Sequence, residues 1–554
     1  MPLLLLAVLH CVPAAHDVLM IAVDDLRPDL SCTDLPGYQK PKLYTPNICA
    51  LARDSLVLQR SQVAMATCSP SRAALLTGRH PGTTHVWDLY SYFRVVGGNF
   101  TTIPQYFKER GYLTAGMGKI FHHGHASGKG NCSVCRGDND GSYSWTEPYF
   151  TGKPLVDVEH ERSWMAVPKA VTEKMPLWDT QIVQHALAVL HNIGSRRREG
   201  QDARRFFVAM GFHKPHLPFV FPEAYLDHYP QSAVSLPSNP FAPAGMPSIA
   251  WQSYGETRAF DDVAATGATG AIDTTLPDPL VLDLRRAYYA AVSYTDANVG
   301  LVLESLEHAG LANGTIVTFW GDHGWHLGEH GEWDKHTNFA LNTHAPLFFR
   351  VPGHTDGGIT SYELAETVDI FPTLAELAYG DKVPICPEHS SGVALCTEGV
   401  SLGPLISAPA RAIKRAAFSV YARPVPNDTM GAAADESHQP RPPCDAEGVE
   451  AGISFVPRPS PCLDQALHGV GCVMGYSMMT RLISGSLLRY TEWVLFPGPS
   501  NGWKPLWSRS YGTELYNHTN DPAENINVFD TVRGTAVASA LSAQLHKGWR
   551  ANFD

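Results

Sequence analysis

The chain has 554 residues, of which 44% are hydrophobic and 17% charged, and its formal net charge is −12. This length exceeds that of one small module, and the hydrophobic content excludes an intrinsically disordered chain. The negative charge argues against a basic surface spread over the whole chain, so we expect no nucleic-acid partner. Eleven cysteines are too few for a disulfide scaffold, but enough that individual cysteines require an explanation.

The N-terminus has the pattern of a secretory signal. Residues 3–9 form a short apolar run, and small residues follow at 14–15. The run lacks a basic segment before it and is too short to span a bilayer, and a buried first strand is the alternative. Asn-X-Ser/Thr acceptor sites support secretion, at Asn99, Asn131, Asn313, Asn427 and Asn517. We therefore predict a signal peptide at residues 1–15, a lysosomal or extracellular protein, and no membrane-spanning helix.

Four apolar runs predict strands that are buried on both faces, at residues 17–23, 205–210, 315–320 and 346–351. Amphipathic helical patterns lie between them, for example at residues 180–193 and 282–309. This alternation predicts an α/β fold with a mainly parallel sheet. Three of the strands end in polar clusters, at residues 24–25, 213–216 and 322–323. Because ligands bind beyond the carboxyl ends of such strands, we expect these clusters to meet.

The character of the sequence changes near residue 405, so we predict domains at residues 16–405 and 406–554. Residues 424–464 are rich in Pro, Gly, Asp and Glu and are predicted to form a long surface loop or linker. Beyond them, residues 474–496 hold two β-like runs separated by Ser484-Gly485-Ser486. This pattern predicts an antiparallel hairpin in a smaller C-terminal α+β subdomain.

Residues 67–79 form the most specific segment of the chain. Ser69 is placed to cap a helix, Pro70 suits its first turn, and Gly78 ends it. Cys68 would then lie just before a helix N-terminus, where free N–H groups favour an anion. Arg72, one turn later, would face the same point. A lone cysteine is usually buried or disulfide-bonded, but this context indicates a functional one.

The segment Cys68-Ser69-Pro70-Ser71-Arg72, followed by Leu76-Thr77-Gly78-Arg79, resembles the maturation signature of type I sulfatases. The segments at 118–122, 211–218, 322–325 and 328–333 look most like the iduronate-2-sulfatase branch of that family, and the resemblance covers nearly the whole chain. It implies an alkaline-phosphatase-like fold with a large mixed, mainly parallel sheet. It also implies that a formylglycine-generating enzyme oxidises Cys68 to formylglycine, whose hydrate is the nucleophile.

The same resemblance implies a substrate, the 2-O-sulfate of a terminal uronate in a glycosaminoglycan-like saccharide. Two alternatives stay open: a sulfatase for another sulfated sugar or polysaccharide, and a catalytically silent glycan-binding protein on the same fold. Residues 124–141 and 424–464 depart from the usual sequence of the family, which leaves the sugar open. The intact set of Cys68, Arg72 and acidic residues argues against the silent protein, because binding alone requires no modifiable cysteine.

A metal site is expected at the strand ends. Asp24, Asp25 and Asp322 offer hard oxygen ligands of the kind that Ca²⁺ prefers, with Mg²⁺ as the alternative ion. Helix capping is the other interpretation of paired Asp residues. The resemblance adds modified Cys68 and the softer ligand His323 to this set. The cation would hold a sulfate oxygen and polarise the formylglycine hydrate.

The resemblance assigns four further residues to sulfate binding and proton transfer: Lys119, His122, His213 and Lys335. Fixed cations stabilise the charge that spreads over the sulfate oxygens in the transition state. We expect His213 to be the general acid for the leaving alcohol, and His122 to orient or deprotonate the second hydroxyl of the hydrate. We place the neighbouring histidines around the site or on the surface: His123, His125 and His216.

Other motifs that resemble functional sites also have purely structural interpretations. Residues 326–330 match the H-x-x-E-H pattern of some zinc proteases, but four glycines within residues 321–331 disfavour the helix it needs. Cys132 and Cys135 have zinc-like spacing without a second pair, so a disulfide or a surface loop is favoured. Cys386 and Cys396 lie in one loop and are expected to pair. Residues 421–424 suit either a substrate rim or a strand followed by a turn.

Overall fold

A computed structural model describes residues 15–34, 36–38, 42–128, 138–153, 162–426 and 471–553. The predicted signal peptide lies outside these residues apart from its last position. So do Asn131, Asn427, Cys132, Cys135 and most of the predicted loop at 424–464. Within the described residues, no helix has the length and apolar character needed to cross a membrane.

Strands supply the framework of the structure. In chain order they are β1 (Asp17–Val23), β2 (Leu56–Leu58), β3 (Ser61–Gln62), β4 (Leu113–Gly118), β5 (Trp164–Val167), β6 (Phe206–Phe212), β7 (Phe219–Pro222), β8 (Thr315–Gly321), β9 (His326–Leu327), β10 (Trp333–Asp334), β11 (Leu347–Arg350), β12 (Ile359–Ser361), β13 (Ala365–Glu366), β14 (Ala416–Arg423), β15 (Cys472–Arg481), β16 (Leu487–Phe496) and β17 (Leu506–Asn517). All four strands predicted from apolar runs are present, as β1, β6, β8 and β11.

The main sheet has seven strands in the order β12-β2-β11-β8-β1-β6-β4. β8, β1, β6 and β4 are parallel to one another, whereas β11 is antiparallel to both of its neighbours. The sheet is therefore mixed and mainly parallel, as predicted. The described residues also form three two-stranded sheets, β3-β13, β5-β7 and β9-β10.

Helices cover both faces of this sheet. They are α1 (Pro46–Arg53), α2 (Cys68–Thr77), α3 (Pro81–Thr84), α4 (Phe93–Val96), α5 (Ile103–Glu109), α6 (Gly141–Ser144), α7 (Lys169–Thr172), α8 (Trp178–Arg198), α9 (Gly255–Arg258), α10 (Asp261–Ala264), α11 (Asp278–His308), α12 (Ala340–Thr343), α13 (Ile370–Tyr379), α14 (Pro404–Ser407), α15 (Phe529–Val532) and α16 (Ala536–Lys547). Leu19 and Ile21 of β1 pack in the core that includes α8 and α11, and Val18 and Met20 pack on the other side with α5 and α13. This alternation is the period of two that a strand imposes.

A second sheet, β14-β15-β16-β17, is antiparallel throughout. β15 and β16 form the predicted hairpin around residues 482–486. α16 packs on this sheet through Leu541 and Leu545, which share a core with Phe418 and Met478. The exact domain boundary at residues 405–406 stays a prediction.

The cysteines of the described residues divide as follows. Cys386 and Cys396 are disulfide-bonded, as expected, and so are Cys32 and Cys49, whose pairing the sequence did not indicate. Cys472 is also disulfide-bonded. Within the described residues, Cys68 is free and buried.

A buried ion network joins the end of α2 to the second sheet. His80 faces two carboxylates, with Nε2 2.9 Å from Glu366 and Nδ1 3.2 Å from Glu398. Glu366 also accepts a hydrogen bond from the backbone N–H of Phe418 in β14 and pairs with Lys414. Burial lowers the pKa of His80, but the two carboxylates outweigh it and raise the pKa to about 9.

This network predicts a pH dependence of stability. The folded pKa of His80, about 9, exceeds its ordinary value of 6.5, so protonation stabilises the fold fully below pH 6.5 and the effect is lost as the pH rises through 9. Such a shift corresponds to roughly 3 kcal/mol. Relative to His80→Gln, wild-type protein should lose about that much free energy of unfolding between about pH 6 and about pH 9.5 in urea titrations. An equal pH dependence in both proteins would rule the network out as the cause.

Two glycines let β4 and β6 approach closely where the polar edge begins. A Cβ at Gly211 would lie 2.0 Å from the carbonyl oxygen of Lys119, and one at Gly118 would lie 2.0 Å from that of Gly211. The Gly211→Ala variant should therefore lose about 3–5 kcal/mol of unfolding free energy, because backbone must move to admit the methyl group. Gly82→Ala is the matched control, since no atom lies within 4 Å of its added Cβ. Similar urea midpoints for the two variants would contradict this prediction.

Candidate active site

The polar clusters meet at one edge of the main sheet, as predicted. Asp24 and Asp25 follow β1, Asp322 follows β8, and His213 follows β6. The backbone N–H of Asp25 donates to Asp322 Oδ1 at 3.0 Å. Lys119, which follows β4, pairs with Asp24 at 2.5 Å. Because these strands are parallel neighbours, their carboxyl ends bring residues far apart in the chain into contact.

α2 points its N-terminus at this edge. The helix begins at Cys68 with Thr67 as the extended residue before it, and it ends at Gly78 in the left-handed conformation, φ 65°. The prediction that Ser69 caps the helix is therefore wrong. Pro70 is tolerated in the first turn because its missing N–H would have no helical partner there, so it does not mark the first helical residue. Cys68 consequently lies in the first turn itself.

The Cys68 thiol is enclosed by the cluster and is only 2% exposed. Its Sγ lies 3.4 Å from His323 Nε2 and 3.6 Å from Lys119 Nζ. Burial raises the pKa of this thiol well above its ordinary value, and the charge of Asp24 adds to the rise. Since the thiolate is the reactive form of cysteine, an unmodified Cys68 is a poor nucleophile here.

Arg72 forms ion pairs with the acidic residues and does not project into open space. Its Nη2 donates to Asp24 Oδ1 at 3.0 Å, and its Nε donates to Asp322 Oδ2 at 2.9 Å. A further bond joins it to the backbone carbonyl of Lys119. Arg72 is fully buried, so it holds the ends of β1, β8 and β4 in a fixed arrangement.

The donor set fits a divalent cation with oxygen ligands. Ligand atoms of Asp24, Asp25, Cys68 and His216 lie within 4.8 Å of one another, as do those of Cys68, Asp322 and His323. His323 Nδ1 lies 3.0 Å from the carbonyl oxygen of Gly324, so it carries the proton and Nε2 presents its lone pair to the cluster.

The negative charge of this cluster also favours a bound cation. Burial raises the pKa of Asp25 well above its ordinary value, against the attraction of Lys335. Burial raises the pKa of Asp322 to about 6, against the attraction of Arg72. Burial also acts on Asp24, but Lys119 and Arg72 outweigh it and hold the pKa well below the ordinary value. Two of three adjacent carboxylates thus lack sufficient positive charge, which a divalent cation would supply.

Lys335 reaches the site from a strained loop after β10. The residues on either side, Asp334 and His336, have left-handed backbone, with φ of 69° and 80°. Lys335 Nζ lies 3.2 Å from both carboxylate oxygens of Asp25, 3.2 Å from His216 Nε2 and 3.0 Å from Glu256. Asp25 itself has a φ of 55°. Such conformations in non-glycine residues concentrate at functional sites.

His213 is oriented by a carboxylate and an aromatic ring. Asp179, in the first turn of α8, lies 3.0 Å from His213 Nδ1 and also accepts its backbone N–H. The indole of Trp178 stacks on the imidazole with ring centroids 3.6 Å apart. His122 Nδ1 lies 3.0 Å from the carbonyl oxygen of His123. These contacts occupy the Nδ1 atoms of both histidines, and His213 Nε2 lies 2.9 Å from His123 Nε2.

The structure brings together the residues that the sequence nominated for the site. His216 and His123, which were placed around the site or on the surface, lie around it: His216 contacts Lys335 and His123 contacts His213. Asp179 and Glu256 were not predicted. An acidic residue in the first turn of a helix usually serves its own helix, so the sequence carried no signal for Asp179, and Glu256 is reached only through the fold.

The structure decides between the alternative interpretations of two motifs, residues 326–330 and residues 421–424. His326 lies in strand β9 and Glu329 in a 3₁₀ turn, so the H-x-x-E-H segment is not a helix, as its glycines predicted. Tyr421 and Arg423 are buried in β14, where the Tyr421 hydroxyl lies 2.8 Å from His336 Nδ1. They support the wall of the site next to Lys335 and do not form an exposed rim.

Comparison with known proteins agrees with this geometry. The model of the family described as "Sulfatase" matches residues 16–380 of the chain. Iduronate 2-sulfatase of Homo sapiens is 34% identical over 565 aligned residues, which cover 94% of this chain and 92% of that protein. Iduronate 2-sulfatase of Mus musculus is 37% identical, with 70% of this chain and 73% of that protein covered.

Solved structures share the fold at low identity. The structure of BT1596, a 2-O GAG sulfatase, matches with a TM-score of 0.60 at 18% identity, over 98% of this chain and 93% of that chain. A phosphonate monoester hydrolase of Agrobacterium radiobacter matches with a TM-score of 0.61 at 18% identity, over 97% and 95%. The resemblance to type I sulfatases is confirmed by the family match and the two iduronate 2-sulfatases. The chain belongs to the sulfatase family and is a sulfuric ester hydrolase.

Proposed function

We propose that the chain removes the 2-O-sulfate from a terminal uronate of the iduronate type in glycosaminoglycan-like saccharides. The observation that carries this proposal is the enclosed Cys68 at the start of α2, facing the carboxylates and cations at the sheet edge. The identity of 34–37% to iduronate 2-sulfatases supports the choice of sugar and position.

Cys68 would act after a formylglycine-generating enzyme has oxidised it, with an oxygen of the hydrated side chain attacking sulfur. Three cations surround this point: Arg72, Lys119 and Lys335. Each lies beside a buried carboxylate, so it is held rigidly and needs no reorganisation when charge develops on the sulfate oxygens. Lys335, nearest the outer groups His216 and Glu256, could also pair with the carboxylate of the sugar.

The metal would be Ca²⁺, or alternatively Mg²⁺, held by Asp24, Asp25, Asp322, His323 and modified Cys68. When bound, it would supply a Lewis acid for a sulfate oxygen. The carboxylates provide the hard ligands that either ion requires. His216 lies with the same ligand group and would border the ion.

His213 would protonate the leaving alcohol, and His122 would accept a proton from the hydrated side chain. Asp179 fixes the Nδ1–H tautomer of His213 and stabilises its cationic form. Burial and the charge of Lys119 lower the pKa of His122 to about 3, so it is neutral and able to accept a proton. Burial lowers the pKa of both histidines, but the Asp179 carboxylate opposes this effect at His213, whereas the charge of Lys119 adds to it at His122.

The predicted signal peptide and the acceptor sites for N-linked glycans support a place in the secretory pathway, in the lysosome or outside the cell. Asn99 and Asn313 are exposed in the structure and Asn517 is partly exposed. A glycosaminoglycan substrate would be met in either compartment.

A panel of disaccharides with a single sulfate tests the proposal. We expect sulfate release from the 2-O-sulfated uronate with a kcat/KM about 100-fold above that for 6-O-, 4-O- or N-sulfated isomers, roughly the discrimination of a site built for one group. Release of sulfate from another position instead would contradict the proposed substrate but not the proposed sulfatase reaction. Binding of the disaccharides without any release would support the silent glycan-binding protein.

A further inference from the structure

Two imidazoles share one hydrogen bond beside the site. His123 Nε2 lies 2.9 Å from His213 Nε2, and the two rings are nearly coplanar, with 7° between their planes. The indole of Trp178 lies against both rings, at centroid distances of 3.6 Å to His213 and 5.7 Å to His123. His213 is buried, whereas His123 is partly exposed.

The positions of the protons follow from these partners. His213 Nδ1 faces the Asp179 carboxylate at 3.0 Å and must carry a hydrogen, because a carboxylate only accepts. One hydrogen then lies between the two Nε2 atoms. In the neutral pair His123 donates it. When the pair gains a proton, His213 becomes the donor and His123 keeps its own hydrogen on Nδ1.

The charges around the pair set its resting state. The groups that face it are Asp179 on α8, Lys119 and His122 after β4, Asp24 after β1, and Arg72 on α2. Burial lowers the pKa of both imidazoles, so the resting pair is neutral. An anionic sulfate ester brought beside it favours the protonated form, and the face of the Trp178 indole stabilises the cation.

We propose that His123 relays to His213 the proton that the leaving alcohol receives, an inference that rests on the proposed function. In the step, a bond forms between sulfur and the deprotonated oxygen of the hydrated side chain, and the bond between sulfur and the sugar oxygen breaks. The electron pair of that bond stays on the sugar oxygen, which takes the Nε2 proton of His213 as the hydrogen bond to His123 opens. His123, which is partly exposed, then takes a proton from water and restores the hydrogen between the two rings. His123 is thus a positioning and relay residue that acts through His213.

The test compares His123→Gln with wild type on two substrates. Glutamine can still donate a hydrogen bond to His213 Nε2 but cannot carry a proton. An alkyl sugar sulfate needs its leaving oxygen protonated, and 4-nitrophenyl sulfate does not. We expect kcat to fall roughly 10- to 100-fold on the sugar sulfate, within the range of general acid catalysis, and to stay within about twofold on the aryl sulfate. The alkaline limb of the kcat–pH profile should be present for the sugar and absent for the aryl substrate in wild type.

His185→Gln is the matched control, since His185 lies on the same helix as Asp179 but its imidazole stacks on Phe150, with ring centroids 4.2 Å apart. It should leave both rates unchanged. Equal losses on the two substrates for His123→Gln would mean a structural role and overturn the relay, and so would an unchanged rate on the sugar sulfate. If wild type cleaved neither substrate, the proposed function would fail, and the relay with it.

Discussion

Replacement of Cys68 by alanine is expected to lower kcat for sulfate ester hydrolysis by at least about 10⁴-fold, the size of effect seen when a covalent nucleophile is removed. The reason is local. The side chain sits at the N-terminal turn of α2, between Lys119 and His323, and it belongs to both groups of potential metal ligands. Initial rates on a sulfated disaccharide measure the effect.

Folding of that variant must be shown separately. Cys68 is buried, so loss of its sulfur leaves a small cavity that costs on the order of 1 kcal/mol. We therefore expect a cooperative thermal transition within a few degrees of wild type. Cys68→Ser keeps the size of the side chain and should be equally inactive if no aldehyde forms on serine. More than about 1% residual kcat in a folded alanine variant would contradict a nucleophilic role, given the size of effect expected.

Removal of divalent cations is expected to abolish activity and to destabilise the fold. The pKa of Asp25 is raised well above its ordinary value, and that of Asp322 to about 6, because burial and mutual repulsion are not fully offset. A bound cation at 100 times its Kd would add about 2.7 kcal/mol to stability. Chelation should therefore lower Tm by about 2–5 °C, and Ca²⁺ should restore both Tm and rate.

Variants separate this site from nonspecific effects of the chelator. Asp24→Asn should lose activity and should show little further change of Tm on chelation. Asp356→Asn, at an exposed carboxylate away from the site, should respond to chelation as wild type does. Full activity after thorough chelation, checked by metal analysis of the protein, would overturn the metal site.

Much of the fold could be predicted because it depends on local pattern. The buried strand β1 is a continuous apolar run that ends in two acidic residues, and that alone indicates a strand whose carboxyl end carries polar function. The hairpin of β15 and β16 follows from two β-like runs around a short turn. The antiparallel direction of β11 was not indicated, because an apolar run has the same appearance in either direction.

The site residues that could be predicted are those that lie in a recognisable local sequence motif. Cys68, Arg72 and the acidic residues after β1 and β8 were all nominated, and the sheet brings them together. Asp179 and Glu256 reach the site only through tertiary packing, from α8 and from α9, so no local pattern marks them. The start of α2 was misplaced because a proline in the first turn is compatible with more than one helical register.

Although the chain has a net charge of −12, its candidate active site contains a cluster of cations. The cations Arg72, Lys119 and Lys335 are concentrated at one sheet edge, but each is matched by a buried carboxylate. The site is therefore not a plain basic patch. Its attraction for an anionic ester would depend on the bound cation, which offsets the carboxylates and leaves the lysines and arginine to face the sulfate.

Peptide mass spectrometry of catalytically active protein is the most direct test of a sulfatase that acts through modified Cys68. The peptide that contains residues 67–72, isolated from protein that releases sulfate from a sulfated disaccharide, should carry an aldehyde at position 68, trapped by a hydrazide reagent. The fraction of modified peptide should follow the specific activity from one preparation to the next. Unmodified thiol alone at position 68, in a preparation with full activity, would contradict the proposed chemistry.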